Sequence, residues 1–319
     1  MKNKYLIWIV LVAAVVGIAV VVHDLSSKKR GELPGNVFAY PEKVASKVNS
    51  SEIGYKETRQ IKIKKGTPSA FAYSGGKIYL LIDNMLQVLT PRGERLFTLS
   101  LGEKPVCVTV SGTDMLVGFE RRIRRYDASG TLLFSSPVFP ETSFISALAV
   151  HENRVYVADA GEKKVRILDA ALREVGSFKG ESGVSDQHGF IIPSLHFELA
   201  VNGDGELWVV NPGLHALQNY ALDGTFRGQW SRSSFETVGF SGCCNPCQLA
   251  FLSDGSFVTS EKGLVRVKVH KPSGELLTVV APPEAFPNEY KAPDVAVDEH
   301  DNILVLDVEK CMIRFFSPK

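Results

Sequence analysis

The feature that most constrains this chain is a pattern that returns along residues 70–319. Its clearest copy, ALAVHENRVYVADAGEKKVRILDAALREVGSF at 147–178, holds an apolar strand, a polar turn, a second apolar strand and a third that ends in a turn. Related stretches cover 199–230 and 249–280, a shortened one covers 295–319, and two weaker ones lie at 70–99 and 106–134. The second-strand ends Asp159, Asn211, Glu261 and Asp307 mark the period, standing 52, 50 and 46 residues apart. Each unit carries three or four short alternating strands, with Asp204-Gly205, Asp223-Gly224 and Asp254-Gly255 supplying turn chemistry. Such a unit cannot bury its own apolar faces, and units of this length stack as blades of a propeller. Six units predict six blades.

The last copy ends at Phe316, before an outer strand can form. Gly54–Lys64 (GYKETRQIKIK) precedes the first copy and alternates like a strand. It is predicted to supply the missing outer strand of blade six, closing the ring and removing an exposed edge.

Ahead of the repeats, Tyr5–Val22 (YLIWIVLVAAVVGIAVVV) is an apolar run without a charge. As a helix rising about 1.5 Å per residue it crosses a slightly thin bilayer. It is longer than the apolar core of a cleaved signal peptide, and VVVHDLSSKKR offers no small-x-small cleavage site. The run therefore reads as an uncleaved signal anchor. The basic residues before it (Lys2, Lys4) and after it (Lys28, Lys29, Arg30) nearly balance. A short tail before a large following domain favours placing the domain outside the cytoplasm. The organisation expected is a cytoplasmic tail (1–4), a transmembrane anchor (5–22), a linker (23–50) and an all-β propeller (51–319) on the periplasmic, extracytoplasmic side of the cytoplasmic membrane. Lys+Arg (36) and Asp+Glu (35) almost cancel, so nucleic acid is not an expected partner.

VYVADAGEKKVRILD, in which a second strand ends in Asp and a turn leads into a basic apolar strand, resembles the core of an NHL repeat. GFSGCCNPCQLAFLSDGSFVTSEKGLVRVKVHKPSGEL is similar to a motif of bacterial membrane-anchored NHL-repeat proteins. The resemblance covers residues 54–319 and implies a six-bladed NHL-type propeller. It says little of function, because NHL propellers include binding scaffolds as well as a few enzymes.

Three of the five cysteines fall within Ser241-Gly242-Cys243-Cys244-Asn245-Pro246-Cys247, the loop entering the innermost strand of blade five. In an oxidising compartment the first expectation is a disulfide, either between Cys243 and Cys244 or from one of them to Cys247. A metal ion or iron–sulfur cluster at Cys243, Cys244 and Cys247 needs a fourth ligand, for which a histidine or Cys107, on the inner strand of blade two, is the candidate. Thiol–disulfide exchange through Cys244 and Cys247 lacks the helix N-terminus that usually lowers a thiol pKa. Buried thiols without chemistry are the plain alternative, and Cys107 and Cys311 read that way individually.

The position aligned with Gln248 holds Ala70, Cys107, Ala147, Glu198 and Asp294 in the other blades. Glu198, Gln248 and Asp294 are therefore expected at the channel mouth. A carboxylate pair there suits a divalent cation, as in lactonase-like six-bladed propellers, or it simply bonds inner-strand backbone and water. His188, His196 and His215 cluster in blade four and the insertion before it, and the NHL resemblance extends to amidating lyases that bind zinc through channel histidines. Their spacing is no zinc signature, so they are weak metal candidates. Arg121, Arg122, Arg124 and Arg125 form the one dense basic run, expected as a solvated strand or as a surface for anionic lipid or an acidic partner. Together these readings predict a membrane-anchored binding or scaffold module for an envelope protein or membrane complex, with no catalytic residue and no cofactor assigned. The alternatives are a metal-dependent lyase or hydrolase in the channel, or a redox or metal-carrying accessory subunit using the cysteines.

Overall fold

Alternating β-branched and aromatic residues between Asp- and Gly-bearing turns produce strands throughout the computed structural model, which describes residues 47–180, 189–286 and 291–319. Blade one is β2 (Pro68–Ser74), β3 (Lys77–Ile82), β4 (Met85–Leu89) and β5 (Arg95–Ser100); blade two is β6 (Pro105–Ser111), β7 (Asp114–Phe119), β8 (Arg122–Tyr126) and β9 (Leu132–Ser135). Blade three holds β10 (Ile145–His151), β11 (Arg154–Asp159), β12 (Lys164–Asp169) and β13 (Glu174–Phe178). Blade four holds β14 (Leu199–Val201), β15 (Leu207–Asn211), β16 (Ala216–Tyr220) and β17 (Phe226–Ser231). Blade five holds β18 (Gln248–Phe251), β19 (Phe257–Ser260), β20 (Val267–His270) and β21 (Leu276–Ala281). Blade six combines β22 (Asp294–Val297), β23 (Ile303–Asp307) and β24 (Met312–Pro318) with β1 (Tyr55–Lys62) from the other end of the domain. Each blade is one four-stranded antiparallel sheet, so the six expected blades are all present.

The predicted closure is realised in register. β1 runs antiparallel to β24 from Tyr55 opposite Pro318 to Lys62 opposite Met312. Arg314 of β24 pairs with Glu57 at 2.7 Å and with Asp307 of β23 at 3.4 Å, so one guanidinium ties both ends of the domain together. Arg59 of β1 lies over the Phe315 ring at 3.9 Å. Just upstream, Glu52 accepts from the Thr237 hydroxyl, and the Gly54 N–H donates to the Thr278 hydroxyl at 2.7 Å, docking the start of the domain on blade five as well.

Six apolar clusters lie between successive blades, one at each interface around the ring. The cluster between blades four and five is the smallest, built from buried Val210, Leu217, Leu249 and Phe257. There polar ties take over. Glu261, Arg266 and Lys268 of blade five are all fully buried. Arg266 holds Glu261 through two bonds of 2.6 and 2.9 Å, and Lys268 bonds Glu261 at 3.2 Å and the Thr237 carbonyl at 3.1 Å. Burial pulls the Lys268 ammonium down to about 8 against the pull of Glu261. The carbonyls that Arg266 and Lys268 engage belong to the segment 232–247, which this network fastens over blade five.

The residues that marked the repeat turn out to be structural ties. Asp159 accepts from the Phe144 N–H at 3.0 Å and from Arg166 at 2.9 Å; Asn211 accepts from the Ile191 N–H at 2.9 Å and donates to Gln218. Each therefore fastens the loop entering its own blade to the end of the second strand. The turn between first and second strands needs a left-handed residue, met by Gly205 (φ 74) and Gly255 (φ 81) in blades four and five.

No helix among the described residues is long and apolar enough to cross a membrane. The anchor expected at 5–22 lies outside the described residues, as does most of the linker.

Replacing Arg314 with Leu takes from buried Asp307 its guanidinium partner, leaving only Lys310 beside it, and cuts the tie to Glu57. We expect a loss of about 3 kcal/mol, read as a lower midpoint in urea denaturation. An unchanged midpoint would show that the ladder alone closes the ring.

Candidate functional site

In an antiparallel blade, the loop entering the first strand and the turn between the second and third strands emerge on the same face. The first strands β2, β6, β10, β14, β18 and β22 surround a central channel of about 560 Å³ and begin at that face. The registers put the predicted positions on one rung: Cys107 opposite Gly118, Ala147 opposite Ala158, Gln248 opposite Ser260 and Asp294 opposite Leu306. Cys107, Glu198, Gln248 and Asp294 all line the channel, as the repeat alignment required.

Asp294 accepts from the Phe71 N–H across the blade boundary at 2.9 Å and from the Val295 N–H at 2.8 Å. Burial nevertheless raises its carboxyl to about 7, those two bonds offsetting only part of the effect. Glu198 accepts from the Leu199 N–H at 3.0 Å, and burial, then the nearby Asp294 charge, push its carboxyl well above the usual range. Both residues keep part of their surface exposed toward the channel, while the encircling strands remove much of their hydration. The Cys107 thiol is raised by burial and then by the same two carboxyls. Blades two, four and six thus set three acidic groups around one channel, Asp294 opposing ionisation of Glu198 and both carboxyls opposing that of Cys107. Gln248 supplies a neutral amide on the same rung.

The cysteine loop, residues 241–247, borders this mouth, and its residues divide into distinct parts. Asn245 is the latch. Its side chain donates to the Ser241 carbonyl at 2.6 Å and to the Lys262 carbonyl at 2.8 Å, and accepts from the Lys262 N–H at 2.9 Å. The loop is thereby bound to the turn between β19 and β20. Cys247 is an anchor: its buried thiol donates to the Cys244 carbonyl and to Asn245, and burial pushes it far up. Cys243 is exposed and Cys244 buried, with their sulfurs 3.0 Å apart.

The disulfide expected from these cysteines is not present; all five are free thiols. A bonded pair needs about 2.05 Å between sulfurs, and Cys247 points at backbone and amide oxygen instead of at another thiol. Among the described residues no group of three His, Cys, Asp or Glu converges on a point where a metal ion fits. The channel separates Cys107 from the loop, and Cys107 faces Glu198 and Asp294.

Two residues of the site escaped the sequence reading. Lys262 Nζ donates to the Ser194 hydroxyl at 3.2 Å, joining the β19–β20 turn of blade five to the entry loop of blade four. Burial opposes ionisation of Cys244, but hydrogen bonds from Cys243 and Ser194 and the Lys262 charge outweigh it, so its thiol falls below the ordinary range. The Cys243 thiol, donating to Cys244, is raised. His196 lines the channel nearby and is held neutral, lowered to about 4 by burial and then by Lys262. The residue after each second-strand end is Ala160, Pro212, Lys262 and Val308 in blades three to six, so a lone cation at this position was the available signal.

The remaining candidates lie elsewhere. His215 occupies a left-handed position (φ 51) in the turn between β15 and β16, its Nδ1 buried without a hydrogen-bond partner. His188 falls outside the described residues. The arginine run stitches blades together: Arg121 bonds the Phe139 and Pro140 carbonyls, Arg124 bonds Glu103 at 2.7 Å, and Arg125 bonds Asp114 at 2.8 Å and the Ala170 carbonyl of blade three. Arg122 stands 3.8 Å from Glu103.

No family model and no curated protein matches the chain. Solved structures do share its fold. A streptogramin B lyase superposes with a TM-score of 0.59 at 12% identity, covering 83% of this chain and 98% of that one. Virginiamycin B lyase from Staphylococcus aureus gives 0.55 at 13% identity, over 79% and 82%. A protein of unknown function from Bacteroides thetaiotaomicron gives 0.56 at 14%, over 84% and 74%. The chain is a six-bladed β-propeller. At these identities the likeness establishes the fold and leaves the chemistry to the site.

The raised Asp294 carboxyl has a testable sign. Between its unfolded value of 3.8 and about 7, the folded protein holds the extra proton, so this group's stabilising contribution falls as pH rises through that window. Asp294→Asn cannot ionise. Its melting temperature relative to the unaltered protein should climb between pH 4 and 7 and level off above; a constant difference across that range would contradict the assignment.

Proposed function

We propose that this protein is a membrane-tethered binding module of the NHL type. Tyr5–Val22 anchors it, residues 23–50 act as the tether, and the propeller sits outside the cytoplasm, where it docks another envelope protein. The observation that carries this reading is the outer rim of blades one to three. Leu132, Leu133 and Phe134 are consecutive on β9 and 50, 42 and 44% exposed, with Val138 beyond them at 54%. The outer strands on either side add Leu96 and Val175, at 55 and 53%. Outer edges are normally blunted with charge, and β9 (LLFS) carries none. Apolar side chains gathered on an edge suit a protein partner. Such an edge also offers unpaired N–H and C=O groups, which a partner strand satisfies and a lipid does not. The NHL assignment rests on Val155–Asp169, where Asp159 and Arg166 pair inside the repeat core.

Cross-linking and recovery of the full-length chain from its native membrane tests this. Leu133→Glu with Phe134→Glu should lower partner recovery about tenfold, the effect of some 1.4 kcal/mol, at an unchanged melting temperature. Equal recovery would remove the rim from the account. Protease added outside intact spheroplasts should digest residues 47–319; protection would place the propeller on the cytoplasmic side.

A second reading, a lyase or hydrolase working in the channel, is favoured by one observation. Asp294, with its carboxyl near 7, sits beside Glu198 in a fold shared with streptogramin B lyase, and a carboxyl so shifted suits proton transfer at neutral pH. An activity lost in Asp294→Asn and kept in the rim variant would put this reading first.

A further inference from the structure

Cys243 and Cys244 play no part in docking at the rim, and their arrangement differs from that of the three other thiols. Cys247 is locked by two acceptors, Cys107 is enclosed in the channel wall, and Cys311 donates to the Val308 carbonyl. Cys243 and Cys244 face each other at 3.0 Å, closer than two sulfurs rest in ordinary packing and farther than a bond. One is exposed and the other buried. Lys262 and Ser194 converge on the buried sulfur from a turn and a loop held in place by Asn245.

We propose that Cys243 and Cys244 form a redox-active vicinal dithiol at the channel mouth, which exchanges with small-molecule or peptide disulfides. Cys243, the reachable sulfur, attacks one sulfur of the incoming disulfide and its proton passes to the Cys244 sulfur beside it. A mixed disulfide on Cys243 forms and the first thiolate leaves. Cys244 then attacks the Cys243 sulfur, the second thiolate leaves, and the proton that Cys244 held passes to a departing thiolate. The protein pair loses two electrons and the substrate disulfide gains them. Lys262 is a positioning residue, stabilising Cys244 as the thiolate that closes the ring.

The product is reducible by construction. Neighbouring Cα atoms stand about 3.8 Å apart, short of the usual span of a disulfide, so the closed ring is strained and belongs to the labile class. The loop therefore accommodates the reduced pair at rest, and Asn245 with Cys247 holds its frame while the pair cycles. Because Lys262 also binds Ser194 of the blade-four loop, removing the Cys244 thiolate alters the contact that joins the two loops at the mouth.

The test uses the full-length protein, reduced and then exposed to oxidised glutathione, with free thiols alkylated before digestion and mass analysis. The peptide bearing Cys243 and Cys244 should emerge two hydrogens lighter, with Cys247 alkylated, and Cys247→Ser should behave the same way. Cys244→Ser should retain one glutathione on Cys243, whereas Cys243→Ser should take up none. Lys262→Met should slow ring closure about tenfold at pH 7 and move its pH dependence upward. A bond that includes Cys247, or a dithiol still fully alkylated after oxidation, would overturn the proposal. Neither result bears on partner recovery at the rim.

Discussion

Everything in this propeller depends on one pairing between the two ends of its sequence. β24 would present a bare edge, and β1 covers it along its length, with Arg314 bound at once to Glu57 and Asp307. Between the first and last blades the fastening includes this sheet, the apolar cluster beside it, in which Ile61 of β1 packs with Ile313 and Phe315, and the bond from the Phe71 N–H to Asp294. The closed ring in turn sets the width of the channel, and so the desolvation felt by Glu198 and Asp294. Their shifted carboxyls are a consequence of closure as much as of local sequence.

Around that ring the interfaces are unequal. Between blades four and five the apolar cluster is reduced, and a buried Glu261–Arg266–Lys268 group with the Asn245 latch takes over. Buried ion pairs contribute little net stability compared with apolar packing, but they demand a particular geometry. That demand fits what this sector carries, since the Cys243–Cys244 pair needs Lys262 placed to within hydrogen-bonding reach. The segment 232–247 is fastened by its carbonyls to Arg266 and Lys268, so the reactive loop rests on a fixed base.

Much of this was legible from residues alone. The spacing of Asp159, Asn211, Glu261 and Asp307 carried the blade count, because each stands at or just past the end of the second strand of its own blade. The strand at 54–64 was found because alternation is a local signal and the final repeat was visibly one strand short. The rung of Cys107, Glu198, Gln248 and Asp294 followed from aligning the repeats. What sequence could not supply was the direction of side chains within loops. Asn245 turning onto Lys262, and Cys247 turning away from Cys244, depend on loop paths that obey no period, and so the expected disulfide gave way to free thiols. The acceptors of the arginine run were not legible for a related reason, since they lie on other strands and loops away from the run in sequence.

Closure as the organising constraint is tested most directly by amide hydrogen exchange on the full-length protein, followed strand by strand. If the ring is one cooperative unit fastened by β1, the amides of β1 that pair with β24 exchange at the same slow rate as those of β23 and β3 and share their dependence on denaturant. Exchange in β1 that is faster by orders of magnitude, with the other blades still protected, would mean that the ring stands without its fastening and that the channel mouth owes its geometry to something else.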